Sequence, residues 1–237
     1  MEINKNLEML GLSLWLKRET VLIIGDIHLG YEEYLHKKGV LLPKTQAQLI
    51  KEELQKIFQI VKPKTIIING DLKHEFGTIL RQEWKEVLEL VDFLFLHCEE
   101  LVLVRGNHDT ILGPLVEKRG LKVVEEYKVG DTLIIHGDKL AKITKTSIKR
   151  IIIGHEHPAI TLREKSKVEK FKCFLKGKWK GKELIVMPSF NPLLEGTDIL
   201  KDKLLSPFLE DISNFEVFVV GDKEVLRFGK VKNMLNQ

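Results

Sequence analysis

At 237 residues the chain is long enough to bury a sizeable core within one domain. Its 43% hydrophobic and 30% charged content is that of a soluble globular protein. No apolar run approaches the ~18 residues of a membrane span, and a signal-peptide layout is not seen at the N-terminus. A net charge of +4 is too mild to announce nucleic acid by itself. Cys98 and Cys173 form no disulfide framework, so the expected setting is a reducing cytoplasm.

In chain order, residues 1–20 read as an opening strand with Leu12, Leu14 and Leu16 alternating. Val21-Leu22-Ile23-Ile24 then runs into Gly25-Asp26-Ile27-His28. Tyr31, Tyr34 and Leu35 suggest a short helix or loop over residues 31–39. From Lys44 to Val61 the spacing of Leu49, Ile50, Leu54, Ile57 and Phe58 predicts one face of a helix, closed by Pro63. Ile66-Ile67-Ile68-Asn69 leads to Gly70-Asp71. A second helix is predicted over Gln82–Leu96, with Trp84, Val87, Leu88, Val91 and Leu94 inward. Leu101–Val104 runs into Arg105-Gly106-Asn107-His108-Asp109, and residues 112–119 suggest a short helix before a strand at Leu121–Val124. The first half is therefore a sheet with crossover helices.

Beyond residue 130 helices nearly vanish. Strands are predicted at 131–135, 150–154, 159–163, 169–175, 183–187, 215–220 and 224–229, with one helix near Ala141–Lys149. Two of these strands also end in polar tips, His136-Gly137-Asp138 and Gly154-His155-Glu156-His157-Pro158. The second sheet is expected to be largely antiparallel. No linker or repeat divides the chain, so residues 1–237 read as one domain, an α/β fold in which two mixed sheets pack as a four-layer α/β/β/α sandwich.

Five apolar strands that each end beside a glycine in metal-ligand residue types point to a shared site, because open sheets place ligands at strand ends. Asp26, His28, Asp71, Asn107, His136, His155 and His157 combine carboxylates, an amide oxygen and imidazoles. That set suits Mn²⁺ first, with Fe²⁺ or Zn²⁺ as the other choices. Seven groups are too many for one ion and about right for two that share a bridging carboxylate. Two divalent cations against two carboxylates leave a net positive site that attracts an anion, and phosphate esters fit.

Gly25-Asp26-Ile27-His28, Gly70-Asp71, Gly106-Asn107-His108-Asp109, His136-Gly137 and Gly154-His155-Glu156-His157 resemble the five ordered motifs of the calcineurin-like metallophosphoesterases. The match spans residues 21–158. The resemblance implies the four-layer sandwich and a metal-dependent phosphoesterase activity. It implies that Asp26, His28, Asp71 and His157 hold one metal, and that Asp71, Asn107, His136 and His155 hold the other. His108 would act on the phosphoryl group or the leaving oxygen, with Asp109 orienting it. The phrases Gly70-Asp71-Leu72-Lys73-His74 and Met187-Pro188-Ser189-Phe190-Asn191-Pro192 narrow the likeness. They resemble small archaeal phosphoesterases related to the double-strand-break repair nuclease, and phosphodiesterases associated with a DNA ligase. The repair nuclease is longer and carries a capping domain, so nuclease activity is not carried over.

His74 and Arg105 are the candidates for substrate contact. His74 matches a substrate-contacting position of the repair nuclease, against the alternative of a solvated loop histidine. Arg105 could bind phosphate or form a surface ion pair. His36 and His97 lie outside every motif, and Glu156 should point away from the metals by strand alternation. Lys139, Lys142, Lys145, Lys149 and Arg150 form one basic group, and Lys165 to Lys182 another. Phe171, Phe174 and Trp179 interleave with the second group, either as stacking platforms for single strands or as core residues. The expected activity is hydrolysis of small or nucleic-acid-derived phosphodiesters. A nuclease and a non-catalytic binding scaffold are the alternatives. Nucleic acid and a second copy of the chain remain open as partners, and a membrane is not expected.

Overall fold

The computed structural model describes residues 1–75, 81–109, 119–141, 147–164 and 167–234. The first sheet uses β1 (Glu2–Asn4), β2 (Leu7–Leu10), β3 (Ser13–Leu16), β4 (Val21–Gly25), β5 (Thr65–Asn69), β6 (Glu100–Val104) and β7 (Lys122–Val124), side by side in chain order. Its helices are α1 (Tyr31–Lys37), α2 (Gln46–Ile60) and α3 (Arg81–Phe95). β1 to β4 pair antiparallel, and β4 to β7 pair parallel. The opening segment is thus three short strands and not one. Gly11, at φ +55°, turns the chain between β2 and β3, and Leu12 falls in that turn.

α2 forms because Ile50, Leu54 and Ile57 recur on one face, and all three are buried. Leu49, expected on that face, is 40% exposed. Gln46 is buried instead, since its side-chain Nε2 donates to the His28 carbonyl at 2.8 Å. The buried Glu32 of α1 receives the N–H groups of Thr45 and Gln46 at 2.7 and 2.6 Å, which satisfies donors that a helix start leaves open. In α3 the buried apolar positions are Val87, Leu90, Val91 and Leu94, while Trp84 and Leu88 are half-buried.

The second sheet uses β8 (Tyr127–Val129), β9 (Thr132–Ile134), β10 (Arg150–Ile153), β11 (Pro158–Glu164), β12 (Lys167–Trp179), β13 (Lys182–Val186), β14 (Thr197–Asp198), β15 (Glu216–Val220) and β16 (Val225–Lys230). Their order is β14-β11-β12-β13-β10-β9-β8, with β15 on β12 and β16 on β15. β9, β10 and β13 run parallel at its centre, and most other pairs are antiparallel as expected. Residues 112–118 of the helix predicted at 112–119, and residues 142–146 of the one near Ala141–Lys149, lie outside the described residues.

Alternation along the strands builds three apolar layers. Leu22, Ile24, Ile66 and Ile68 pack under α2 and α3. Val21, Ile23, Ile67, Ile152, Ile185, Met187 and Phe174 meet between the sheets. Ile151, Ile153, Leu184 and Val186 face the far side, where Phe208, Leu209, Ile212 and Phe215 cover them. Each such side chain contributes about 1.5–3 kcal/mol. Two mixed sheets face to face, with helices outside the first, make the expected sandwich. Among the described residues the outermost cover of the second sheet is the irregular segment 199–215.

Candidate metal centre

Register brings the polar tips together. Gly25, Asn69 and Val104 are level across β4, β5 and β6, so the chain leaves all three strands at one edge. Beyond the strands, Asp26 N donates to Gly70 O at 3.1 Å and His28 N to Asp71 O at 2.8 Å. On the facing sheet, Gly154 N donates to His136 O at 2.8 Å. Two glycines permit close approach, Gly106 between neighbouring tips of the first sheet and Gly154 between the two halves. A Cβ at Gly106 would overlap the Asp71 carboxylate, and one at Gly154 would overlap the Asp26 carboxylate.

The Met187–Pro192 loop backs this edge. Ser189 Oγ donates to Asp26 O at 2.7 Å, Phe190 N to Gly25 O at 2.9 Å, and Asn191 Nδ2 to His28 O at 3.3 Å. The half-buried Lys172 in turn donates its amine to the Ser189 and Asn191 carbonyls. The sequence marked this loop only as a phrase of the resemblance, because its partners are distant backbone carbonyls that no local pattern reports.

Asp26, His28, Asp71, His155 and His157 all have φ between +44° and +65°. This left-handed region costs a non-glycine residue roughly 1–2 kcal/mol. Strain of this kind concentrates where side chains must be aimed against local preference, and sequence patterning gave no sign of it.

The aimed groups converge. Ligand atoms of Asp26, His28, Asp71 and His157 lie within 4.8 Å of one another, and so do those of Asp71, His136 and His155. His28 Nε2 stands 3.6 Å from Asp71 Oδ2 and 3.3 Å from His157 Nε2, which is 3.3 Å from Asp26 Oδ1. On the other side, His136 Nε2 is 3.4 Å from Asp71 Oδ2, 3.2 Å from His155 Nδ1 and 2.9 Å from Asn107 Oδ1. Atoms that share one ion at about 2.1 Å stand about 3.0–3.4 Å apart. Imidazole nitrogens facing each other at such distances are repulsive unless a proton or cation lies between them. The donor set therefore fits divalent cations.

The electrostatics agree. Burial lowers His28, His155 and His108 below the usual imidazole range and brings His74 down to about 4, with the neighbouring imidazoles adding to the shift. These rings are neutral at pH 7, with lone pairs to offer. Burial also acts to lower His136, but the Asp71 and Asp26 carboxylates outweigh it and raise the ring to about 9. The same contact works in reverse on Asp71. Burial would raise its carboxyl, yet the His136 hydrogen bond and the surrounding imidazoles hold it well below the usual range. This pocket favours positive charge.

A third grouping joins His74 and His108 to His28. His74 Nδ1 is 3.3 Å from His28 Nδ1, and the rings of Tyr31 and Tyr34 meet His74 edge-on at 4.9 and 4.7 Å. His108 Nδ1 bonds the His74 carbonyl, and its Nε2 lies 3.8 Å from Asp71 Oδ2. Asp109 works on the backbone: it receives the N–H groups of Gly106 and Leu72, both at 3.0 Å. Burial first, and the Asp71 charge second, push Asp109 up to about 6. The direct partner of the His108 ring is thus the His74 carbonyl. The sequence also missed Glu83, a carboxylate buried on α3 that receives the His74 and Glu75 N–H groups.

Arg105 pairs with Glu125 at 3.1 Å on the surface, and no contact with the cluster is found for it among the described residues. Glu156 turns away from the cluster and receives the Leu205 and Ser206 N–H groups. His36 closes on the Leu42 backbone, and His97 stacks on Phe58. In the basic groups, Lys139 pairs with Glu125, Arg150 with Glu183, Lys167 with Glu169 and Lys170 with Glu195, while Lys172 and Lys182 donate to backbone carbonyls and Lys180 lies over the Trp179 ring. Lys142, Lys145 and Lys165 lie outside the described residues. Phe174 sits in the inter-sheet core, while Phe171 and Trp179 pack against the outer cluster. Among the described residues, no helix is long and apolar enough to cross a membrane.

The structure resembles the crystal structure of Pseudomonas putida nuclease MPE, with a TM-score of 0.64, 18% identity and 91% of each chain covered; a likeness this distant speaks for the fold alone. YfcE, a phosphoesterase from E. coli, aligns at a TM-score of 0.39 and 13% identity, over 89% of this chain and 98% of that one. Vps29 from Entamoeba histolytica aligns at 0.38 and 16%, over 87% and 96%. No curated protein gives a significant match to the sequence. The profile of calcineurin-like phosphoesterases matches residues 19–222, and by that match the chain belongs to this family of phosphoester hydrolases.

Proposed function

We propose that the protein is a dinuclear-metal phosphodiesterase that hydrolyses small or nucleic-acid-derived diesters. The observation that carries this reading is the convergence of two ligand groups on one shared carboxylate, Asp71. Asp26, His28, Asp71 and His157 would hold one ion, and Asp71, Asn107, His136 and His155 the other. Bound divalent ions supply a water acidified towards pKa ~7 and a positive seat for the phosphoryl oxygens. The mixed nitrogen and oxygen donors favour Mn²⁺ over Mg²⁺, which prefers all-oxygen shells.

The chain's own groups do the rest. His108, held through Nδ1, presents Nε2 at the edge of the cluster; this nitrogen carries no proton in the neutral ring, so it would take one up from solvent and then pass it to the leaving oxygen. His74 borders the same edge with Tyr31 and Tyr34, an aromatic margin suited to the organic arms of a diester. Preference for diesters follows from the scarcity of uncommitted cations there among the described residues. Arg105 is taken by Glu125, and the buried Lys73 amine donates to the Glu75 carbonyl, so a dianionic monoester would lack extra partners.

The test is elemental analysis followed by exhaustive chelation, readdition of single metals, and a panel of aryl monoesters, aryl diesters and a short oligonucleotide. Mn²⁺ is expected to restore activity better than Mg²⁺, with kcat/KM at least about tenfold higher on the diester than on the monoester. Equal efficiency on both esters overturns the diester preference, and full activity in Mg²⁺ overturns the metal preference. Cleavage of the oligonucleotide at rates far above the aryl diester would identify a nuclease.

A further inference from the structure

α3 carries an acid where its pattern calls for an apolar residue. Glu83 lies four residues before Val87 and seven before Leu90, on the face that packs under the first sheet, and is 2% exposed. A carboxylate in that position costs stability unless it is hydrogen-bonded. Its Oε1 receives two backbone N–H groups, from His74 and from Glu75, each at 3.2 Å. It also touches the first tip. Gly30 sits at φ +87° with Glu83 against it, so that a Cβ there would stand 3.0 Å from Glu83 Cγ and Oε1.

The chain of contacts continues from the other side of the same residue. His74 gives its N–H to Glu83, and its carbonyl oxygen receives the Nδ1–H of His108. The donor at Nδ1 fixes the tautomer of the neutral ring and leaves Nε2 as the atom that can exchange a proton. Any shift of the 74–75 backbone therefore rotates His108 at the edge of the cluster. The three tips that carry Gly30, His74 and His108 are tied through this one carboxylate.

We propose that Glu83 is a positioning residue for His108: it sets the place of the His74 carbonyl and, through it, the direction of His108 Nε2. This rests on the reading of His108 given above. The two N–H groups that Glu83 receives belong to residues outside the proposed ligand set, so its loss should leave metal content intact.

The test is a double-mutant cycle on the metal-loaded enzyme, with bis(4-nitrophenyl) phosphate as the diester with a good leaving group and diphenyl phosphate as the poor one. Glu83→Ala is expected to keep both metals and its circular dichroism spectrum. It should lower kcat on diphenyl phosphate by about 10–100-fold with KM little changed, and should lower it less on the nitrophenyl ester. Glu83→Gln, whose amide oxygen can receive the same two N–H groups, should recover most of the rate. In a His108→Asn background, Glu83→Ala should cost less than about twofold more, because both changes remove one device. Equal losses in the two backgrounds, or loss of metal from Glu83→Ala, overturn the proposal while His108 keeps its role. If His108→Asn alone leaves kcat unchanged, both fall together. Should Glu83→Ala fail to fold, Glu83→Asp, one methylene shorter, runs the same cycle with the same outcomes.

Discussion

The floor and the edge of the candidate site are built from the same residue types but are held in different ways. On the floor, Asp26, Asp71 and His136 are at most 2% exposed, and both carboxylates hang from left-handed backbone. Their neighbours include ligand atoms at 3.2–3.6 Å, one of them nitrogen against nitrogen, as is the nearby His28–His157 pair at 3.3 Å. At the edge, His74 and His108 are half-buried; the His74 carbonyl holds the His108 ring and two tyrosine rings border His74, which also faces His28 Nδ1 at 3.3 Å. The contrast separates two jobs. Crowded donors that repel one another are arranged for an ion, whereas an imidazole fixed through one nitrogen is arranged to use the other.

The most severe way to break this division is Asp71→Asn. Asp71 belongs to both ligand groups, and the change removes half of the negative charge that Asp26 and Asp71 supply. Metal content should fall and turnover should drop to the uncatalysed background. A variant that keeps both ions and measurable turnover would refute the bridging assignment. His108→Asn probes the edge and should keep both ions. Loss of general acid–base help lowers rates by roughly 10²–10⁴-fold, so kcat is expected to fall by about that factor while KM moves little. The fall should shrink on esters with good leaving groups. Loss of a metal from this variant would erase the distinction between floor and edge.

The smallest effect concerns the backing of the floor. Burial pushes the Lys172 amine down to about 7 from 10.5. The unfolded chain then holds this proton more tightly than the folded one between those values, so this group's contribution to stability rises with pH across the window. Below pH 7 the full penalty applies. In Lys172→Met, with metals retained, the gain in unfolding free energy from pH 7 to pH 9.5 should be smaller than in the wild type by ~1–3 kcal/mol. An equal gain in the two proteins would show that Lys172 does not titrate there.

Much of this layout is legible in the residues. Each of the five motif strands is an apolar run that stops at a glycine, and a run of that kind reports its own end without help from the rest of the chain. The inward faces of α2 and α3 follow from spacing, apart from Leu49 and Gln46, whose exchange depends on a bond to the distant His28 carbonyl, and from Leu88 and Leu90, of which Leu90 is the buried one. The opening residues misread for a related reason. Leu12 lies in the turn at Gly11 while Leu14 and Leu16 lie in β3, and alternation runs from the turn into the strand as if the strand had already begun. Glu83 and Lys172 escaped notice because a buried charge announces itself only through distant backbone partners. Local periodicity cannot distinguish such a charge from one on a solvated face.

The separation of the tips along the chain also dictates a sequence of events. His28 and His157 are neighbours in space but 129 residues apart, and they belong to different sheets. At a synthesis rate of about 5–20 residues per second, roughly 6–26 s pass between their appearances. On the proposed ligand set, the newborn chain offers only Asp26, His28 and Asp71 for much of that time, without the fixed geometry that docking of the second sheet imposes. A loose partial set ranks cations by intrinsic affinity, which favours Cu²⁺ and Zn²⁺ over Mn²⁺. Discrimination between metals is therefore deferred until both sheets have met, and the identity of the ion becomes a property of the finished protein and of the ions available to it then.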